Sequence, residues 1–394
     1  MAPGALIGAY QQDEGGGLRA LLPLAGRTLL EYQVRCAAAA GAVPIVVIVE
    51  KVPQGLQDSF ERLRLDGLAV LPVSGIEEAL SRFEAGSMIL LIGDGIAPPA
   101  ELVAQLAQYE EAAVATVADD EAHEAFERID AESRWAGVAM VDSRLLGSTA
   151  AMLGDWDLQS TLFRRALQEG AIRLRAEEIG GDPLLAERPE QLEDFQRTLI
   201  SASRGIRSDW ASRYVLPPIE EFATEQLMET AVRPAWLVWA ALGLTLAGAI
   251  CFVRGWLGVG IGLLAASTPL DLVASRLATL RLRPLPAQTI SRRTLWPAAG
   301  IALLALGWWE TRHGTGWGSV ITAVATLAFA EAARIERSAM PSGGELWLFS
   351  RRNAVLAAIP FALAGSWTAY LLAMLAYAAV SFFIVQHVRH TPPG

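Results

Sequence analysis

The chain has 394 residues, more than one ordinary domain holds, and 53% of them are hydrophobic. A formal charge of −10 argues against nucleic acid as a partner. Cys36 and Cys251 show no paired spacing, which gives no ground for a disulfide framework or a zinc site.

Charge and apolarity are unevenly spread. Nearly all Asp and Glu fall in the first half, and the second half is apolar with short arginine patches; Lys51 is the only lysine. Met1 to Tyr10 has no basic flank and runs into Gln11-Gln12-Asp13-Glu14, so no cleavable signal peptide is expected and the first half should stay cytosolic.

Through about residue 203, short apolar runs alternate with helix-like stretches, which predicts an α/β domain with a largely parallel sheet. Strands are expected at Ala5 to Tyr10, Ile45 to Val49, Leu68 to Leu71, Met88 to Ile92, Ala112 to Val117 and Trp135 to Val141. Helices are expected around Thr28 to Ala40, Ile76 to Phe83, Glu101 to Tyr109, Leu158 to Gln168 and Pro189 to Ser203. After the first strand comes Gly15-Gly16-Gly17, a loop whose backbone N–H groups could approach phosphates without Cβ interference; a plain flexible turn is the alternative. Met88 to Ile92 ends in Gly93-Asp94-Gly95, placing a carboxylate at the carboxyl edge of the sheet where ligands bind. Asp94 is therefore a candidate ligand-facing residue, with an Asx-type turn as its other reading. His123, among acidic neighbours, reads as solvated.

Residues 204–233 interleave Trp, Tyr and Arg with apolar residues, as suits an amphipathic juxtamembrane segment or a docked linker. Six apolar runs follow, at about 235–253, 255–273, 295–309, 317–333, 353–369 and 370–387, and predict an all-α, six-helix membrane domain over 234–394. Arg276, Arg281, Arg283, Arg292 and Arg293, then Arg334, Arg337, Arg351 and Arg352, then Arg389, all fall on one side, so both termini are expected to be cytosolic in a bacterial-type inner membrane. Gly255, Gly258, Gly260 and Gly262 read as a small-residue packing face. Few charges lie within the spans, which disfavours a transporter.

The segment Leu21-Leu22-Pro23-Leu24-Ala25-Gly26-Arg27 resembles the signature of nucleotidyltransferases that join a nucleoside triphosphate to a sugar or polyol phosphate. With the helices, the whole chain resembles the bifunctional inositol-phosphate cytidylyltransferase fused to a CDP-alcohol phosphatidyltransferase. The resemblance implies nucleotide binding by Gly15, Gly16, Gly17, Arg19 and Arg27, a metal contact at Asp94, Mg²⁺ if the chain is catalytically active, CTP or a CDP-alcohol with membrane lipids as partners, and a homodimer. Asp209, Arg213 and the Ser350-Arg351-Arg352-Asn353 loop match family positions. The family's membrane reaction uses DxxDGxxAR followed by GxxxDxxxD, four carboxylates that cage two divalent ions. Here Asp271 matches the first, Ala274 stands at the second, Ser275 and Thr279 replace the Gly and Arg, and Thr289 to Arg293 carries no Asp.

Asp271 is thus read as a vestigial metal ligand among Arg276, Arg281, Arg292 and Arg293, which could still hold a phosphate or lipid headgroup. The expected function is phospholipid or polar-headgroup synthesis by a relative of these transferases, with metal catalysis in the membrane half lost. The alternative is a non-catalytic scaffold or a lipid- or nucleotide-binding partner of an active enzyme.

Overall fold

The computed structural model describes residues 2–152, 157–203, 207, 209–228, 230, 232–282, 290–337 and 345–390. The chain divides into two compact units, Met1–Ser201 with Leu280–Arg283, and Ala202–Thr279 with Pro284–Gly394.

The first unit is built on seven strands: β1 (Gly4–Gly8), β2 (Ile45–Ile48), β3 (Val70–Val73), β4 (Met88–Ile92), β5 (Ala113–Ala118), β6 (Ser133–Asp142) and β7 (Ile172–Arg175). Their order is β7-β5-β6-β4-β1-β2-β3. All run parallel except β6, which pairs antiparallel with both β4 and β5. The apolar runs of β1, β2 and β4 are buried nearly throughout, as a sheet covered on both faces requires. Helices α1 (Leu29–Ala39), α2 (Gln54–Leu65), α3 (Ile76–Leu80), α4 (Ala100–Leu106), α5 (Ser143–Ala150), α6 (Leu158–Gln168), α7 (Ala176–Ile179) and α8 (Pro189–Ala202) connect the strands. The core joins Leu6, Val46, Ile89 and Leu91 of the sheet to Leu146, Leu162 and Phe163 of the helices.

The structure departs from the sequence reading in several places: α2, α5 and α7 are additional helices, β7 adds an edge strand, and α3 stops at Leu80. Strand β7 reads Ile-Arg-Leu-Arg, a mostly exposed alternation typical of a charged edge.

In the second unit, α9 (Pro217–Met228) precedes α10 (Pro234–Val253), α11 (Leu257–Leu280), α12 (Ile290–Glu310), α13 (Gly318–Glu336), α14 (Arg351–Leu363) and α15 (Trp367–His390). Among the described residues four helices are long and apolar enough to cross a membrane, Pro234–Val253, Leu257–Leu280, Gly318–Glu336 and Trp367–Val388. The fifth expected span becomes much shorter. Helix α14 has 13 residues, a rise of roughly 20 Å against a hydrocarbon thickness of about 30 Å. It stops before Gly365, which takes φ +66, and α15 begins two residues later. Of the expected glycine face, Gly260 and Gly255 pack closely: an added Cβ would lie 2.5 Å from Phe252 and 3.1 Å from the Gly248 carbonyl at the first and 2.9 Å from Trp309 at the second, whereas Gly258 and Gly262 meet nothing.

One glycine of the first unit fixes where the sheet's carboxyl edge opens. Gly137 has φ +76 and accepts a hydrogen bond from Gly93 N at 2.7 Å, and a Cβ there would sit 2.4 Å from Ile96. Strand β6 is irregular between its pairings to Val114 and Thr116 at this point. Gly137→Ala combines left-handed strain with overpacking, so it should cost the first unit about 2–4 kcal/mol, read as a lower denaturation midpoint of the full chain in urea.

Candidate functional site

Asp94 follows β4 beside the end of β1 and is 4% exposed. Its Oδ2 accepts from the backbone N–H groups of Tyr10 (2.6 Å) and Gln11 (2.7 Å), and its own N–H donates to Gln159 Oε1 at 3.0 Å. Its Oδ1 is buried and accepts no hydrogen bond. Burial pushes the carboxyl up to about 6, against the lowering effect of the Gln11 and Tyr10 N–H groups. The side chain lines a cleft of about 160 Å³ with Phe126, Glu127, Trp135, Asp157 and Gln159. Tyr10 closes the arrangement: its hydroxyl donates to Asp157 Oδ1 at 2.8 Å, and burial followed by the Asp157 charge keeps it protonated.

The structure places the expected phosphate contacts elsewhere or occupies them. Asp13 Oδ1 accepts from Gly17 N at 2.7 Å and the Asp13 carbonyl accepts from Gly16 N at 3.1 Å. Added Cβ atoms at Gly15 and Gly17 would meet the same carboxylate at 3.3 and 3.1 Å. An internal anion thus sits where the loop would receive a phosphate. Arg19 reaches the cleft, but its guanidinium donates to Glu187 Oε1 (2.6 Å), Gln11 Oε1 (3.0 Å) and the Gln12 carbonyl (3.0 Å). Arg27 turns to the fully buried Glu31 at 3.6 Å, which also pairs with Arg62 at 2.6 Å. Asp182 stands 3.8 Å from His123, in a different cleft.

In the second unit, Asp271 lies on α11 and is 8% exposed. Both of its oxygens are taken by guanidinium groups, Oδ1 by Arg351 at 3.0 Å and Oδ2 by Arg352 at 2.6 Å. Arg352 continues to Asp209 Oδ2 at 2.7 Å, so one guanidinium bridges two carboxylates. Asn353 holds the assembly from the other side, with Oδ1 accepting from Ala211 N and Nδ2 donating to the Leu348 carbonyl. The Ser350 hydroxyl caps α14 by accepting from Asn353 N at 3.1 Å. Arg276 is 1% exposed and is directed to Ser203 (3.2 Å) and Glu220 (3.4 Å), and Glu220 pairs with Arg207 at 3.0 Å. Arg281 belongs with the first unit, where its carbonyl accepts from Arg35. Burial and the nearby Arg27 and Arg35 hold the Arg281 guanidinium down at about 10. Arg293 is exposed, and the Arg292 side chain and Thr289 lie outside the described residues.

The two sites differ in their fit to Mg²⁺. Asp94 offers one free carboxylate oxygen, a partial match to an ion that is held by one or two carboxylates plus substrate phosphates. Asp271 offers none, because both oxygens are neutralised by arginines. Among the described residues no group of three or more His, Cys, Asp or Glu could share an ion.

Residues 15–208 match the MobA-like NTP transferase domain. The first half is nucleotidyltransferase-like. An inositol-1-phosphate CTP transferase from T. maritima superposes with TM-score 0.42 at 13% identity, over 52% of this chain and 99% of that one. A Mycobacterium tuberculosis phosphatidylinositol phosphate synthase with CDP-DAG bound gives TM-score 0.38 at 16% identity, over 45% of this chain and 96% of that one. No curated protein matches the chain by sequence.

Sequence reasoning singled out Asp94 and Asp271 and grouped Asp271 with Arg276, Arg281, Arg292 and Arg293; the hydrogen-bonded partners of Asp271 are two other arginines. Its partners come from the Ser350 to Asn353 loop, 80 and 81 positions away. Asp13 and Glu187 were missed. The first was signalled by an acid inside the glycine loop; nothing in the sequence pointed to the second.

Two outcomes follow. The Asp94 carboxyl has a folded pKa above its ordinary value of 3.8, so its contribution to stability is present in acid and lost as pH rises through about 6. Asp94→Asn should stabilise the first unit by about 1–3 kcal/mol at pH 8 and by little at pH 4, measured by thermal unfolding of the full chain at both pH values. Removing one partner of a buried ion pair costs about 3–5 kcal/mol. Arg352→Met should destabilise the second unit by that order, and adding Asp271→Leu should recover part of the loss; a double variant as unstable as the sum of both singles would contradict the pairing.

Proposed function

We propose that this chain is a membrane protein of phospholipid or polar-headgroup synthesis, related to polyol-phosphate cytidylyltransferases and CDP-alcohol phosphatidyltransferases, whose helical half has exchanged metal catalysis for an ion-pair lock. It acts as a non-catalytic binding partner or scaffold for an active enzyme of that pathway. The observation that carries this reading is the Asp271 carboxylate, both oxygens of which are bound by Arg351 and Arg352. Two cations that are part of the chain supply the positive charge that a divalent ion would bring, and they cannot polarise a water or an acceptor hydroxyl as a Lewis acid does. The occupied glycine loop and the Arg19–Glu187 pair support the same conclusion for the first half. The one-sided arginines support cytosolic termini in an inner membrane, and assembly as a homodimer through the helices belongs to the same proposal.

A second reading, nucleotidyl transfer retained in the first half, is favoured by the free Asp94 Oδ1. The purified chain with Mg²⁺, CTP and inositol 1-phosphate should release no pyrophosphate, and with CDP-diacylglycerol and a polyol phosphate it should release no CMP. Pyrophosphate release abolished by Asp94→Ala would establish the second reading in place of the first. Deletion of the gene should alter the headgroup composition of the membrane; an unchanged lipid profile would remove the pathway assignment.

A further inference from the structure

The four membrane-length helices of the second unit share one end: α10 finishes there at Val253, and α11, α13 and α15 begin there at Leu257, Gly318 and Trp367. Three turns meet at this end. Gly255, between α10 and α11, lies against the Trp309 indole, where an added Cβ would sit 2.9 Å from Nε1. Trp308, near the end of α12, meets Trp317, just before α13, edge to face at 6.1 Å between ring centroids. The Thr368 hydroxyl at the start of α15 donates to Glu310 Oε2 at 2.7 Å, and Trp367 packs on Phe252 of α10 with centroids 6.4 Å apart.

The arginines of these turns differ from others in the unit. Arg207, Arg276, Arg334, Arg351 and Arg352 each pair with a carboxylate. Arg254 and Arg312 are exposed, and among the described residues neither guanidinium forms a hydrogen bond or an ion pair. The one carboxylate in the three turns, Glu310, is buried and engaged by Thr368. Arg312 instead lies over an aromatic ring, its Cζ 4.9 Å from the Trp308 centroid. Stacked in this way, a guanidinium keeps its fork of N–H groups free for a pair of oxygens.

Trp256, Trp308 and Trp317 are 63%, 38% and 67% exposed. Indoles left bare at the ends of apolar spans lie at headgroup level in a bilayer. Arg312 thereby stands at the depth of the lipid phosphates, the acceptors that a guanidinium fork binds bidentately. A zwitterionic headgroup brings its own cation beside two arginines, with no exposed carboxylate to receive it; an anionic headgroup avoids that repulsion.

We propose that Arg312, laid on Trp308, holds the phosphodiester of an anionic phospholipid from the leaflet that meets this end of the helices. Arg254 supplies the second positive charge, and Trp256, Trp308 and Trp317 lie against the lipid's glycerol and upper acyl carbons. The inference goes beyond the proposed function and rests on it only for placing the helices in a membrane. Release of the chain from membranes by alkaline carbonate would overturn both; a chain that stays in the membrane without the lipid preference overturns this one alone.

The full chain is placed in nanodiscs of phosphatidylcholine with a minority of phosphatidylglycerol, and the lipids retained on ejection are read by native mass spectrometry. Phosphatidylglycerol should be enriched over its bulk share. Arg312→Gln should lower that enrichment about tenfold, the worth of hydrogen bonds to a charged group. Arg312→Lys, which keeps the charge without the fork, should restore only part of it, and Trp308→Leu should weaken it less than Arg312→Gln. Arg64→Gln in the first unit, an equal loss of charge, should leave it unchanged. On the unaltered chain, a phosphatidylglycerol carrying a diazirine near its glycerol should label the peptide that holds residues 308–317. Phosphatidylglycerol at its bulk share, enrichment indifferent to Arg312→Gln, full binding by Arg312→Lys, or labelling that leaves out residues 308–317 would each overturn the proposal.

Discussion

Arg352 lies between two carboxylates that are 62 positions apart in the chain, Asp209 before the first long helix and Asp271 on α11. Ion pairs this buried gain their Coulomb energy only after desolvation, and the hydrogen-bond geometry decides whether the balance is favourable. Here both oxygens of Asp271 are met, Arg351 taking the one that Arg352 leaves, and Asn353 ties the same loop to Ala211 and Leu348, while Arg352 Nε is buried without an acceptor. The cluster joins the segment entering the helices, α11 and the start of α14 at one point. Ala274 stands three residues after Asp271, and the two guanidinium groups supply positive charge to that carboxylate through a fixed number of donors.

The first unit is a nucleotidyltransferase-like α/β domain in which several of the groups expected to face a ligand are paired internally. A parallel sheet places Asp94 at its carboxyl edge, where α/β sheets bind ligands. Around it, each group that would meet a triphosphate already has an internal partner: Gly17 has Asp13, Arg19 has Glu187 and Arg27 has Glu31. Among the described residues Asp94 Oδ1 is buried without a hydrogen-bond partner, as are Glu31 Oε2 and Gln33 Oε1, and burial raises the Asp94 carboxyl pKa.

The readable parts of this architecture were those written locally. Ile45 to Ile48 and Met88 to Ile92 are short continuous apolar runs of the kind buried strands carry, and the helix expected from Thr28 begins there as α1, with Thr28 as its cap. The reversal of β6 was not legible, because strand direction depends on the path of the chain over many residues and leaves no local periodicity. Helix α2 was hidden by its polar composition behind Pro53, and the end of α14 by the apolar residues that surround Gly365. Asp271 could be found from its motif, but its partners could not, since ion pairs across 80 residues are specified by packing.

Asp13 in the glycine loop has a consequence beyond local geometry. A tethered carboxylate four residues from the N–H group it occupies presents itself at an effective concentration of millimolar or more, by the usual measure for short linkers. An incoming phosphate does not meet an open nest; it competes with a ligand that never diffuses away. Any anion that reaches the Gly17 N–H must first displace the Asp13 carboxylate, without any change of fold.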